Sequence, residues 1–160
     1  MGIQSRYLSD GTATTEYYPS PVSRQQPIWL QYMRLGLDVD EEKIGDLIFE
    51  VYRAVDAKQY RLAAMGIRAA LEQIMIMKIG DTGTFNQKLE AFQKAGLISS
   101  IQRDAMRATL DVGDAAIHRG YIPKEGELKI ALDVLDGVCA PIFGHVDEAK
   151  RMAQSVPPRK

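Results

Sequence analysis

Cysteine occurs once in the 160 residues, as Cys139, and histidine twice, as His118 and His145. A single thiol excludes an intramolecular disulfide and a cysteine-based zinc site, and two imidazoles are too few for a His-rich metal cluster. No metal and no cofactor are therefore expected. Charge of one sign is not in excess: 20 Lys plus Arg stand against 21 Asp plus Glu, for a formal net charge of −1. That balance removes the whole-domain basic signal of a dedicated DNA-binding protein, though a local basic patch stays open. No segment approaches the roughly 18 uninterrupted apolar residues that span a bilayer. The first residues have no basic start leading into an apolar stretch, and Arg6 stands where a myristoylation motif wants Ser or Thr. The expectation is a cytoplasmic chain with no membrane association. Also missing are a GxSxG elbow, a Walker Gly-Lys-Ser and a cysteine set beside a histidine, so classical nucleophilic hydrolysis is not expected.

What is present suits one helical domain. The length fits a single compact unit, and 46% hydrophobic residues are enough to fold without staples. Residues 1–26 read as an irregular N-terminal arm, because Thr12, Thr14, Thr15, Pro19, Pro21 and Pro27 offer breakers and no helical period. Tyr17, Tyr18 and Trp29 suit an arm lying on the domain or on a neighbour, or a plain extended tail. From there the chain is helical. Asp38 or Asp40 can cap a helix whose apolar positions Ile44, Leu47, Ile48, Val51 and Val55 follow the 3.6-residue period. A break at Asp56 to Gln59 leads to a second helix, Tyr60 to Ile79, apolar around most of its circumference and so suited to the middle of a bundle. Thr84 with Gln87, and Ser99 with Gln102, are capping boxes for a short helix and for a long one reaching Arg119. A last helix covers Glu125 to Ala153, with a kink expected at Pro141. Residues 27–153 thus form an all-α bundle of four main helices plus one or two short ones, and residues 154–160 a polar tail.

Two polar stripes stand out. On the central helix Arg61, Arg68 and Glu72 fall on one line. Arg68 and Glu72 can form an internal ion pair, or Arg68 can face a cleft and hold an anion while Glu72 orients it. On the helix from Ser99, Met106, Leu110, Gly113 and Ile117 make an inner row, and Arg107, Asp111, Asp114 and His118 a polar row beside it. Asp114 and His118 lie one turn apart, close enough for the carboxylate to orient the imidazole. His118 can equally be a terminal residue favoured by the helix dipole. Gly66 and Gly113, each in mid-helix at a cost of about 1 kcal/mol relative to Ala, signal close approach of another helix.

The run Ile67-Arg68-Ala69-Ala70-Leu71-Glu72-Gln73-Ile74 resembles the "RaxLE" helix of a bacterial domain family of unknown function within the HEPN superfamily. Val112-Gly113-Asp114-Ala115-Ala116-Ile117-His118-Arg119-Gly120 resembles the family's "lGNxaaHg" turn, and Tyr18-Pro19 to Pro27-Ile28-Trp29 its approach. The resemblance covers residues 17 to 150. It implies a four- to five-helix bundle that often dimerises and places paired polar faces in a shared cleft. Many relatives carry a fused zinc ribbon, which a lone Cys139 excludes here, and others sit in restriction or defence proteins. Active superfamily members are metal-independent ribonucleases with an Arg, an adjacent polar residue, three spacers and a His. Asp114 and His118 match the polar residue and the His, but Gly113 stands at the Arg position and Leu110 one turn earlier. Arg107, Arg68 or Arg119, from this chain or a dimer partner, would have to supply the missing charge.

Three functions follow as expectations. The first is a noncatalytic binding or interaction module, dimeric, with Arg107, Arg119, Arg68 and Glu72 as ligand- or phosphate-binding candidates for RNA, a nucleotide or a protein partner. The second is a metal-independent ribonuclease in which His118 moves the proton and Asp114 orients it. The third is a purely structural homodimer, for which the stretch Ile74-Met75-Ile76-Met77 can serve as an interface or as plain core.

Overall fold

The computed structural model describes residues 2–7, 13–18, 24–36 and 38–159. Helices α1 (Ile28–Leu35), α2 (Val39–Asp56), α3 (Tyr60–Ile79), α4 (Phe85–Lys94), α5 (Ser100–His118) and α6 (Glu125–Cys139) form a bundle. A π-helical stretch, Ala140–His145, then leads without a break into α7 (Val146–Ser155). The helical architecture is the expected one, with α2, α3, α5 and the α6–α7 rod as the long members and α1 and α4 as the short ones.

The arm differs from the sequence reading. Strands β1 (Gly2–Tyr7) and β2 (Ala13–Tyr18) pair antiparallel in the register Gly2↔Tyr18 to Tyr7↔Ala13. Ile3, Thr14, Thr15, Tyr17 and Tyr18 favour extended pairing. Polar residues occur in both alternating sets, so no one-sided apolar period announces the strands. What the side chains of Tyr17 and Tyr18 lie on falls outside the described residues. Trp29 belongs to the bundle and is buried.

Local signals set the helix ends. Asp38 accepts the backbone N–H groups of Asp40 and Glu41 at 2.9 and 3.1 Å and so starts α2. Both expected capping boxes are formed, Thr84 with Gln87 on α4 and Ser99 with Gln102 on α5. At Pro141 the rod does not break. The ring has no N–H for the Gly137 carbonyl one turn back, which accepts from Gln102 Nε2 at 3.0 Å instead, and the helix widens over Ala140–His145.

Helix α3 is central and packs against α2, α4, α5 and α6. Its Ala63, Ile67, Ala70, Leu71, Ile74 and Met75 are buried, which places the first half of the Ile74–Met77 stretch in the core. Two glycines set how closely its neighbours come. A Cβ on Gly66 would lie 2.5 Å from Val51 Cγ2 on α2, and one on Gly113 of α5 would lie 2.7 Å from Arg68 Cβ and 3.1 Å from the Ala64 carbonyl on α3. Both mid-helix glycines are therefore contact points. Helix α1 closes the far side. Trp29 Nε1 donates to Asp136 Oδ1 at 2.5 Å, and Arg24 reaches Asp133 at 2.6 Å, so α1 and its lead-in are fastened to α6.

Burial makes Gly113 intolerant of a side chain and leaves Gly137, whose Cβ position is open, tolerant. Gly113→Ala is expected to lower unfolding stability by about 1–3 kcal/mol, and Gly137→Ala to raise it by about 0.5–1 kcal/mol. Urea titrations of the two variants check this; effects of equal sign contradict the packing described.

Candidate functional site

The inner row of α5 holds through Met106, Leu110 and Gly113, all buried, and then passes to Ala116 rather than to Ile117, which is exposed. The row beside it opens to solvent as the sequence spacing predicts. It brings Arg107, Asp111 and Asp114 to the edge of a small cleft between α3, α4 and α5 that also includes Arg68, Phe85 and Asn86. The cleft holds about 180 Å³.

Arg68 reaches this cleft because Gly113 lets its stem lie flat on α5. Its guanidinium carbon stands 4.9 Å from the centre of the Phe85 ring. One terminal nitrogen is 3.6 Å from Asp114 Oδ1. The same carboxylate oxygen is 3.7 Å from His118 Nε2. Both distances are too long for hydrogen bonds, so these are contacts of charge rather than fixed donor–acceptor geometry. Arg68 side-chain exposure is 20%, Asp114 43% and His118 66%. The line therefore runs from a half-sheltered guanidinium, through a shared carboxylate, to an imidazole in water. An arginine at position 113 would need the space that Arg68 occupies, so guanidinium and glycine form one arrangement.

The expected Arg68–Glu72 pair is not formed. Glu72 turns instead to Lys88 of α4, whose Nζ lies 3.1 Å from Glu72 Oε1 and 2.7 Å from Asp81 Oδ1. Lys88 is buried, and two carboxylates at this range hold its pKa above the usual 10.5, the hydrogen bond to Asp81 being the larger cause. A buried ammonium needs its partners more than an arginine facing a cleft does, which decides the competition for Glu72. Glu72 thus ties α3 to α4 and stands outside the cleft.

Arg119 also stands apart. It lines a broader depression on the other flank of α5 with Asp111, Tyr121 and Glu127. There Glu127 accepts the Lys124 backbone N–H at 2.7 Å and the Tyr121 hydroxyl at 2.8 and 2.9 Å. Of the candidates, Arg68, Arg107 and Asp114 are brought together, with His118 at their margin, while Glu72 and Arg119 are not. Motif reading missed Phe85 and Asn86 in the cleft lining, and Lys88 as the partner that draws Glu72 away from it. Phe85 and Lys88 fall three residues apart on α4, a spacing that puts them on one face, but only the fold shows that this face meets α3.

Among the described residues no group of three or more His, Cys, Asp or Glu could hold a metal ion. No described helix is long and apolar enough to cross a membrane. A family model described as Domain of unknown function (DUF4145) matches residues 49–155. Neither the curated proteins nor the solved structures contain a match to the chain.

The Lys124 N–H, with the Tyr121 hydroxyl adding to it, holds the Glu127 carboxyl below its usual 4.5, and the same contact pushes the Tyr121 hydroxyl above 10.0. A depressed carboxylate contributes stability that is present above its unfolded-state value and lost as pH falls through the folded one. Thermal melts from neutral pH to below 4.5 should therefore show wild type losing more stability than Glu127→Gln. Parallel losses would mean that Glu127 is not held this way.

Proposed function

We propose that this chain, which belongs to the DUF4145 family, is a noncatalytic HEPN-like binding module of the cytoplasm whose α3–α4–α5 cleft takes the phosphate end of a nucleotide or an RNA. The observation that supports this reading is Arg68 itself. Its guanidinium is laid over Phe85 and drawn toward Asp114 without being hydrogen-bonded to it. Its planar fork remains suited to a phosphate. Arg107 supplies a second positive charge at the same cleft.

The lining also argues for a particular kind of anion. Asp111 and Asp114 balance the two arginines, so the cleft is mixed in charge rather than strongly basic. A bare phosphate would meet the carboxylates as like charges. A nucleotide offers the carboxylates ribose hydroxyls or base amino groups as donors while its phosphate faces the arginines. A cleft of about 180 Å³ admits the phosphate and part of the sugar, with the rest of the ligand outside.

The ribonuclease reading keeps one observation in its favour. His118 and Arg68 share Asp114 Oδ1, so a proton-moving group and a charge-stabilising group flank one carboxylate. RNA incubated in EDTA with wild type and His118→Ala distinguishes the two. Cleavage by wild type alone favours the nuclease, and none by either favours binding.

Affinity for a 5′-phosphorylated single-stranded RNA should fall about ten- to hundredfold in Arg68→Ala, the loss of a charge-assisted contact. It should fall less in Arg107→Ala and stay unchanged in Arg119→Ala. Fluorescence anisotropy at fixed salt measures all three. Equal losses for Arg68 and Arg119 would relocate the site.

A further inference from the structure

Position 88 is a core position that carries a charge. Lys88 is 5% exposed, and its neighbours Leu89 and Phe92 on α4 are fully buried. Burying an ammonium costs more than burying a methionine of similar length, and paired carboxylates offset that cost rather than exceed it. Packing alone would favour the methionine. The ammonium therefore needs a role other than filling the core, and what it holds supplies one.

Helix α4 meets α3 rung on rung. Phe85 and Lys88, three apart on α4, face Arg68 and Glu72, four apart on α3. The guanidinium carbon of Arg68 stands 4.9 Å from the Phe85 ring centre, and Lys88 Nζ stands 3.1 Å from Glu72 Oε1. The Thr84–Gln87 capping box starts α4 immediately before Phe85, and Asp81 Oδ1 fixes Lys88 further at 2.7 Å. Without Lys88, Glu72 would be a carboxylate one helical turn from Arg68, the spacing at which opposite charges pair on a helix. The contact of Arg68 with Asp114, at 3.6 Å, is too long for a hydrogen bond to hold it against that pull. Neither Lys88 nor Glu72 lines the cleft, so an effect of either on the site passes through Arg68 or through the field of its own charge.

We propose that Lys88 is a positioning residue for the cleft: by holding Glu72 it keeps that carboxylate from Arg68 and leaves the guanidinium able to meet a phosphate. Removing the ammonium lets Glu72 close on Arg68, and a ligand must then break that pair before it binds. The inference rests on the reading of Arg68 as the phosphate-facing group. The exchange of partners it describes takes place in the free protein, however, and is measured there without a ligand.

Substitutions of Lys88 in the full chain test it, each variant first shown to keep its helical circular dichroism. Affinity for a nucleoside 5′-monophosphate, by calorimetric titration at fixed salt, should fall about two- to fivefold in Lys88→Met, the worth of one partly exposed ion pair. Glu72→Gln added to Lys88→Met should restore most of the loss. Asp81→Asn added instead removes the same charge from a residue past the end of α3, with no helical register to Arg68, and should restore little. In the ligand-free protein the Arg68 Nε–H resonance should move in Lys88→Met and return with Glu72→Gln but not with Asp81→Asn. Lys88→Gln, which keeps a donor for one carboxylate, is the second neutral variant should Lys88→Met not fold, and should show the same loss and the same rescue. Equal rescue by the two carboxylate substitutions would make the effect one of general charge and overturns the proposal. So does a neutral variant that binds as wild type does, or an Arg68 resonance that stays in place. A wild type that binds no nucleotide overturns the reading of the cleft, and the Arg68 resonance alone then decides whether Lys88 keeps Glu72 away.

Discussion

The closest helix contact at the site, α3 against α5, depends on position 113 having no side chain. The Gly113 Cα faces the Ala64 carbonyl and the Arg68 stem at distances that a Cβ could not share. That approach brings the polar row of α5 beside the polar row of α3. It also flattens Arg68 along α5, over Phe85, with its head at Asp114. Gly66 does the same on the opposite side of α3, against Val51 of α2. The central helix is thus held between two glycine contacts. The first shapes the cleft, and the second lets α2 lie close against α3.

The contact bears on the resemblance noted from sequence. An arginine at position 113 would complete the ribonuclease signature but would have to displace Arg68. This chain has the glycine and brings its guanidinium from α3 instead. The resulting cleft has arginines and carboxylates in equal number, with the histidine in solvent at its margin. Such lining favours holding a ligand with both phosphate and hydroxyl or amino groups over binding a bare anion.

Features fixed within a few residues were legible in the sequence. The Asp38 cap, the two capping boxes, the limits of α3 and the role of Gly66 and Gly113 as contact points follow from local chemistry, and the structure has them. Pairing across helices was not legible. Arg68 and Glu72 sit one turn apart and suggest each other, yet buried Lys88, sixteen positions after Glu72 in the chain, takes Glu72 and leaves Arg68 to Asp114. Arg119 follows His118 directly, but the end of α5 turns it to the other flank. The hairpin β1–β2 escaped because its alternation is mixed, and Ile117 was misplaced because a helix drifts off a fixed row over several turns.

The central claim is that Arg68, positioned by Gly113, is the phosphate-facing group of the cleft. An NMR titration of the side-chain Nε–H resonances of the arginines with a nucleoside 5′-monophosphate tests it most directly. Saturable shifts at Arg68 and Arg107, with Arg119 unmoved, are the predicted result. A response at Arg119 without one at Arg68, or no saturable response at Arg68, would contradict it.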